Sequence, residues 1–292
     1  MATSPPSPFS YALVGAGRVG TAVAELLRRA GHKPIAVASR SRASATRAAN
    51  LLSAPVVEVS DLADVDVVLL GISDAALESV VAELAGRVDP GTVVVHFAGS
   101  LGPDVLDPIG ARPAALHPVQ ACPDVATAIA RLPGSAWGVT TQPGLQEWAT
   151  GVIERDLSGR AVTVITEDRA LWHAAAVMTS NGAAAMLAIG ESLLASIGIA
   201  RPEQVLGPLA RGTIQNAVEG GGGGPTLTGP LVRDEPATIE RHLVALRERH
   251  PTLLPAFLAG LVTIVAAARE AGRISDGAAD TWRSFLEEER WR

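Results

Sequence analysis

Through residue 167, short β-branched runs alternate with segments whose apolar positions recur every three or four residues. The runs YALVGAG (11–17), PIAVASR (34–40), DVVLLGIS (66–73), TVVVHFAGS (92–100), AALHPV (114–119), SAWGVTT (135–141) and AVTVITE (161–167) predict strands. Those around Val67 and Val93 are apolar at every position, as expected of parallel strands covered on both faces. Helical periodicity predicts helices over Val19–Ala30, Ser41–Leu52 and Ala75–Ala85. This alternation defines a doubly wound α/β domain over 11–167, behind a frayed tail at 1–10.

Beyond Glu167 the pattern turns helical. Ala/Leu-rich periodicity runs over Asp168–Ile197, Pro236–Glu248 and Thr252–Ala271, with Asp168 as a cap and Gly198 and Gly272 as stops. Residues 168–292 therefore form an all-α domain for substrate binding and dimerisation. Its first helix would be about 45 Å long, a spine suited to sharing with a second subunit. The run EGGGGGP, 219–225, is expected as a flexible loop. From Leu171 to Gly190 there are 20 uncharged residues, the length of a membrane span. The stretch is alanine-dominated, carries His173, Thr179, Ser180 and Asn181, and lacks a basic flank, so a helix of a soluble domain is the better reading.

Composition narrows the function classes. A net charge of −6 with no basic run argues against nucleic acid. One cysteine, Cys122, excludes an internal disulfide framework and a cysteine-rich metal site, and fits a reducing cytoplasm. Cys122 itself is expected as a small buried side chain. No signal peptide is read at the N-terminus, and no membrane partner is expected. Of 24 basic residues only Lys33 is a lysine, so any lysine-dependent chemistry must use that one.

The first strand–helix junction reads Gly15-Ala16-Gly17-Arg18-Val19-Gly20. Gly15 suits the tight turn, Gly17 close backbone approach to a pyrophosphate, and Gly20 helix–sheet packing, with the helix N-terminus facing the anion. This is a Rossmann-type dinucleotide site. The second strand ends Ser39-Arg40-Ser41-Arg42, without the Asp or Glu that holds a ribose 2′-hydroxyl. Hydroxyls and guanidinium forks suit a 2′-phosphate instead, which favours NADP(H) over NAD(H). Ser73 and Asp74 end the third strand on the ligand side, although Asp74 also suits a helix cap.

Hydride transfer needs a positioned substrate, a group serving the developing anion, and an anchor for any carboxylate. His117, before Pro118, is either a packed corner or the proton donor. His96 reads as a core residue, and Ala98–Ser100 could present donors near it. On the long helix His173 and Ser180 fall nearly in line, about 10 Å apart, with Asn181 beside them. They would either orient substrate or join helices. Arg233, starting a capped helix with Asp234 after the Thr228-Gly229-Pro230 turn, could anchor a carboxylate or simply pair with Asp234. Arg211 and Asn216 are weaker candidates.

On VGAGRVG, LHPVQ, WHAAAVMTSN and LTGPLVRDEPATIERHL the chain resembles the 6-phosphogluconate dehydrogenase superfamily. More narrowly, it resembles Rossmann-like oxidoreductases whose C-terminal domain is of unknown function. The resemblance implies an N-terminal Rossmann domain followed by an all-α domain like that of 6-phosphogluconate dehydrogenase. Prephenate dehydrogenases carry a similar His-Pro segment whose histidine assists hydride transfer, a role that would fall on His117. β-Hydroxyacid dehydrogenases place Lys-x-x-x-Asn on the first long helix. Asn181 matches the asparagine, but Val177 stands at the lysine position, so that acid is missing. Some members are linked to ketopantoate reduction. The resulting expectation is a cytoplasmic, homodimeric NADP(H)-dependent oxidoreductase acting on a small carbonyl compound in a cleft between its domains. Catalysis would involve His117, His173, Ser180 and Asn181, with substrate held by Arg233, Arg211, Ser100 and Thr228, and no metal. The alternatives are a non-catalytic NADP-binding protein and an imine reductase similar to pyrroline-carboxylate reductases.

Overall fold

The computed structural model describes residues 5–62 and 64–291. The expected strands form as β1 Ser10–Val14, β2 Lys33–Ala38, β3 Val67–Leu70, β4 Val93–His96, β5 Arg112–Pro118, β6 Ala136–Thr141 and β7 Arg160–Thr163. They build one sheet in the order β2-β1-β3-β4-β5-β6-β7. Every pair is parallel except β5–β6. Outside β2, Val56 makes a single parallel bridge to Val37, the remnant of an outer strand. With it, strand order is that of a Rossmann sheet, and β1 and β3 flank the point where the winding reverses.

Both faces are covered because side chains alternate. Helices α1 Arg18–Arg29, α2 Arg42–Leu52, α3 Leu77–Leu84, α4 Val125–Arg131 and α5 Gln146–Gly151 supply the cover. Tyr11, Leu13, Val67, Leu69, Val93 and Val95 pack with α1, α2, α4 and α5. The intervening Ala12, Val14, Val68, Leu70 and Val94 pack with α3 and the 3-10 run Pro103–Ile109. Helices α4 and α5 were not foreseen, being too short to show a period.

The chain divides into two compact units, Met1–Thr179 and Ser180–Arg292. Helix α6, Arg169–Val177, belongs to the first, although the sequence texture changes at 168. The second unit is all helical: α7 Ala183–Ser196, α8 Pro202–Glu219, the single turn α9 Gly223–Thr226, α10 Pro236–Arg249, α11 Leu254–Glu270 and α12 Asp276–Trp291. Its core gathers Leu231, Ile239, Leu243, Leu258, Leu261, Val265, Trp282 and Leu286. An N-terminal Rossmann-like domain thus precedes a helical C-terminal region.

Several local expectations are corrected. Residues 1–4 of the tail lie outside the described residues, but Phe9 is buried and Ser10 opens β1. Asp168 and Asp74 make no side-chain cap bond. Helix α10 begins at Pro236, as its periodicity predicts, so Arg233 and Asp234 precede it instead of starting it. Part of the glycine run closes into α9. Cys122 is only half-buried. The uncharged stretch 171–190 is interrupted by a π-helical turn, Met178–Gly182. Among the described residues, the helix long and apolar enough to cross a membrane is instead Pro251–Glu270. Its Leu258, Leu261 and Val265 pack into the second unit's core.

Candidate functional site

Strand ends β1, β3, β4 and β5 share one carboxyl edge, and the site is built along it. After β1 the chain turns at Gly15, φ +83°, and a Cβ there would stand 2.2 Å from Ile72 Cγ2. A Cβ on Gly20 would meet Gly71 Cα at 2.3 Å, so α1 packs onto the end of β3 only because both residues are glycines. Gly17 serves the same contact: its N–H donates to Gly71 O at 2.7 Å, and a Cβ would reach that oxygen at 2.5 Å. Gly71 is thus a fourth glycine of this turn, and spacing alone did not single it out. Thr21 N–H makes the first helical bond of α1, to Gly17 O. The amides of Arg18, Val19 and Gly20 are left without an intrahelical acceptor, the arrangement that binds an anion.

A cavity of about 310 Å³ opens beside this turn, lined among others by Gly15, Gly17, Ser39, Arg40, Ser41 and Ser73. That is the size of a small-ligand site. Ser41 also caps α2, accepting from Ser44 N–H at 3.3 Å. Arg40 and Arg42 are exposed and carry no ion pair among the described residues, although only Arg40 lines the cavity. Asp74 faces a neighbouring hollow with Leu77 and Leu101. Arg18 bonds Pro123 O at 3.2 Å, in the loop after β5. The lining (amides, hydroxyls and the Arg40 guanidinium, with no carboxylate at the end of β2 and one, Glu83, from α3) fits a phosphorylated dinucleotide.

Three strand spacings away, about 14 Å, stands a cluster of side chains. Helix α6 presents Arg169, Trp172 and His173 at positions i, i+3 and i+4, hence on one face. Trp172 Nε1–H donates to His117 Nδ1 at 3.0 Å. The His117 and His173 rings meet edge to face at 5.4 Å. Two glycines make the room. A Cβ on Gly99 would come within 2.4 Å of His173 Cδ2 and 2.9 Å of His117 Nε2, and one on Gly138 within 2.7 Å of the Trp172 indole. Gly138 is the antiparallel partner of His117.

Since Nδ1 accepts from Trp172, the proton of a neutral His117 ring must sit on Nε2. No acceptor among the described residues reaches that atom. Burial, then His173, Arg169 and His96, lower the His117 pKa to about 4, so the ring is neutral at pH 7. His117 is therefore a neutral N–H donor and not an imidazolium. His96 is a satisfied core residue: Nε2 lies 2.9 Å from Gly102 O, and Nδ1 accepts from Ala98 N–H at 3.2 Å. Burial lowers its pKa to about 4 as well. Together these bonds shape the loop carrying Gly99 and the half-buried Ser100.

The other expected residues lie in the second unit. Ser180 and Asn181 are exposed and sit within the π-helical turn. The seven-residue α-helical spacing that aligned Ser180 with His173 does not hold there. Arg211 and Thr228 are exposed. Arg233 is exposed and forks onto Glu235, at 2.6 and 3.2 Å, instead of Asp234.

Residues 4–118 match the Rossmann-like domain family and residues 135–259 a domain of unknown function, DUF2520. The fold of the chain is similar to that of a Bacteroides fragilis protein assigned as an NADP oxidoreductase (22% identity, TM-score 0.75, 89% of this chain and 98% of that one). It is also similar to 1-pyrroline-5-carboxylate reductase from Streptococcus pyogenes (17%, TM-score 0.58, 94% and 98%). An imine reductase from Myxococcus stipitatus solved with NADP+ is comparable (17%, TM-score 0.55, 96% and 93%). No curated protein matches the sequence.

Proposed function

We propose that the chain transfers a hydride between NADP(H) and a small carbonyl compound, such as a 2-keto acid, with His117 Nε2–H serving the substrate oxygen. The observation that carries this reading is the 3.0 Å bond from Trp172 to His117 Nδ1, which leaves Nε2–H as the open donor of a neutral ring. When bound, the nicotinamide supplies the hydride to the carbonyl carbon. Gly15–Gly20 hold the pyrophosphate, and Ser39, Arg40 and Ser41 hold the 2′-phosphate. As negative charge grows on the oxygen, a neutral N–H aimed at it stabilises that charge without giving up its proton. The final proton comes from water, which leaves the His117 ring neutral after each turnover. This refines the proton-donor role expected of His117.

The same chemistry weighs against a protonated imine. An iminium nitrogen already carries N–H, and a donor facing it gains nothing.

The test is an NADPH-oxidation screen of small 2-keto acids, ketopantoate included, beside cyclic imines. Turnover of a keto acid is expected. Reduction of cyclic imines alone overturns the role given to His117. If NADPH binds and neither class is reduced, the non-catalytic reading replaces this one. NADPH should raise the melting temperature more than NADH. Arg40→Ala should weaken NADPH binding about tenfold, the worth of one charge-assisted contact, and leave NADH binding unchanged. The expected homodimer is part of the proposal, supported by the exposed apolar Met186, Leu209, Ile214 and Val218 on α7 and α8. A monomer by light scattering at micromolar concentration would exclude it.

A further inference from the structure

Arg169 is fully buried in the first unit, yet it forms no ion pair with a carboxylate among the described residues. Its guanidinium donates to Ala98 O at 2.6 Å, Thr140 Oγ1 at 3.0 Å and Ala115 O at 3.4 Å, while Nε has no partner. Removing a guanidinium from water without a counter-ion is unfavourable, and a leucine or methionine would fill the space without that cost. The three acceptors come from the loop after β4, from β5 and from β6. Ala98 precedes Gly99, on which the His117 and His173 rings rest, and Ala115 lies two residues before His117 on the same strand. The contacts therefore converge on the backbone that holds the His117 centre.

We infer that Arg169 is a positioning residue for that centre. It ties the Ala98 loop, β5 and β6 at the spacing that seats the His117 and His173 rings over Gly99. It also gives this edge a fixed positive charge that selects a substrate atom turning negative during reaction. The second role rests on the carbonyl reading and sharpens it: a group gaining positive charge is disfavoured here. The charged and titratable groups facing His117 are His173 and Arg169 on α6 and His96 on β4. Among the described residues Arg169 has no carboxylate partner to cancel its effect. Its own pKa is pushed down to about 10 by burial, so it remains charged near neutrality.

The test uses Arg169→Lys and Arg169→Met in the full chain, with two readouts. The first is the titration midpoint of the His117 ring by NMR without substrate. The second is kcat and KM for the best keto acid. Arg169→Met should move the His117 midpoint upward from about 4 by part of its depression, since burial and His173 lower it more than Arg169 does. It should also lower kcat about 10²-fold, the scale of a small misplacement, with NADPH affinity nearly unchanged. Arg169→Lys keeps the charge without the fork, so it should hold the midpoint low while recovering only part of kcat. A folded Arg169→Met variant with an unmoved midpoint overturns the inference, as does an Arg169→Lys variant that behaves like Arg169→Met. If Arg169→Met does not fold, Arg169→Gln replaces it: an upward shift of the His117 midpoint supports the charge effect, and an unmoved midpoint refutes it. The NMR readout needs no turnover, so a chain that reduces no carbonyl compound refutes the functional reading without touching this result.

Discussion

The glycine turn after β1 and the histidine centre beyond β4 and β5 lie on one sheet edge but are made of different material. The turn is backbone: Gly15, Gly17, Gly20 and Gly71 interlock because none has a Cβ. The centre is side chain: Trp172, His173 and Arg169 reach from α6 to His117, Ala98 and Ala115, across 54 to 71 residues of sequence. A backbone device fails as a unit when its shape is disturbed. A side-chain device should lose function in graded steps while the fold survives.

The largest effect belongs to the turn. Gly20→Val places atoms where a Cβ already stands 2.3 Å from Gly71 Cα, so α1 must leave the sheet. We expect a loss of about 3 kcal/mol or more, the upper range for overpacking, together with loss of NADPH binding. Urea unfolding and cofactor titration measure both. A variant of wild-type stability would show that α1 adapts and that the interlock is not rigid.

Acid should reveal the other device. His96 and His117 titrate at about 4 when folded and near 6.5 when unfolded, so between those values the unfolded chain binds more protons. Stability therefore falls as pH drops from 6.5 to 4, by up to about 2.7 kcal/mol per pH unit if both contribute fully. Denaturation at pH 7, 6, 5 and 4.5 tests the sign. Equal stability at pH 7 and 5 would mean that neither ring is held neutral by the fold.

His117→Ala should leave NADPH affinity intact and reduce turnover about 10²-fold. If the same variant unfolds or loses the cofactor, His117 is a packed corner.

The two regions also differ in how far sequence alone reveals them. The strands and the glycine turn were legible because their demands are local: short β-branched runs and a fixed glycine spacing. Gly71 was missed because its partners are Gly15 and Gly20, more than fifty residues away. His117 was visible as a candidate, but its protonation was not, since that depends on Trp172. The signal was present as Arg169, Trp172 and His173 at i, i+3 and i+4, but nothing local tells which sheet residues that face meets. The placement of Ser180 and Asn181 was hidden for a different reason: ideal helical spacing was extended through a segment that turns π-helical.

The smallest effect is the sharpest test of how the centre works. Trp172→Phe keeps an aromatic ring beside Gly138 but removes the N–H that His117 Nδ1 accepts, together with part of the indole. That bond exists only while Nδ1 is unprotonated, so its loss frees Nδ1 to take a proton. The His117 pKa should rise, and a share of neutral rings should move the proton from Nε2 to Nδ1. A net hydrogen bond of about 1 kcal/mol corresponds to a roughly fivefold fall in kcat, with stability little changed. Steric damage at Gly138 could lower kcat equally, and a double-mutant cycle separates the two. If Trp172 acts through the His117 tautomer, adding Trp172→Phe to His117→Ala costs nothing further. An undiminished fivefold loss in that background would show that the indole acts independently of the His117 ring and remove the tautomer argument on which the carbonyl reading stands.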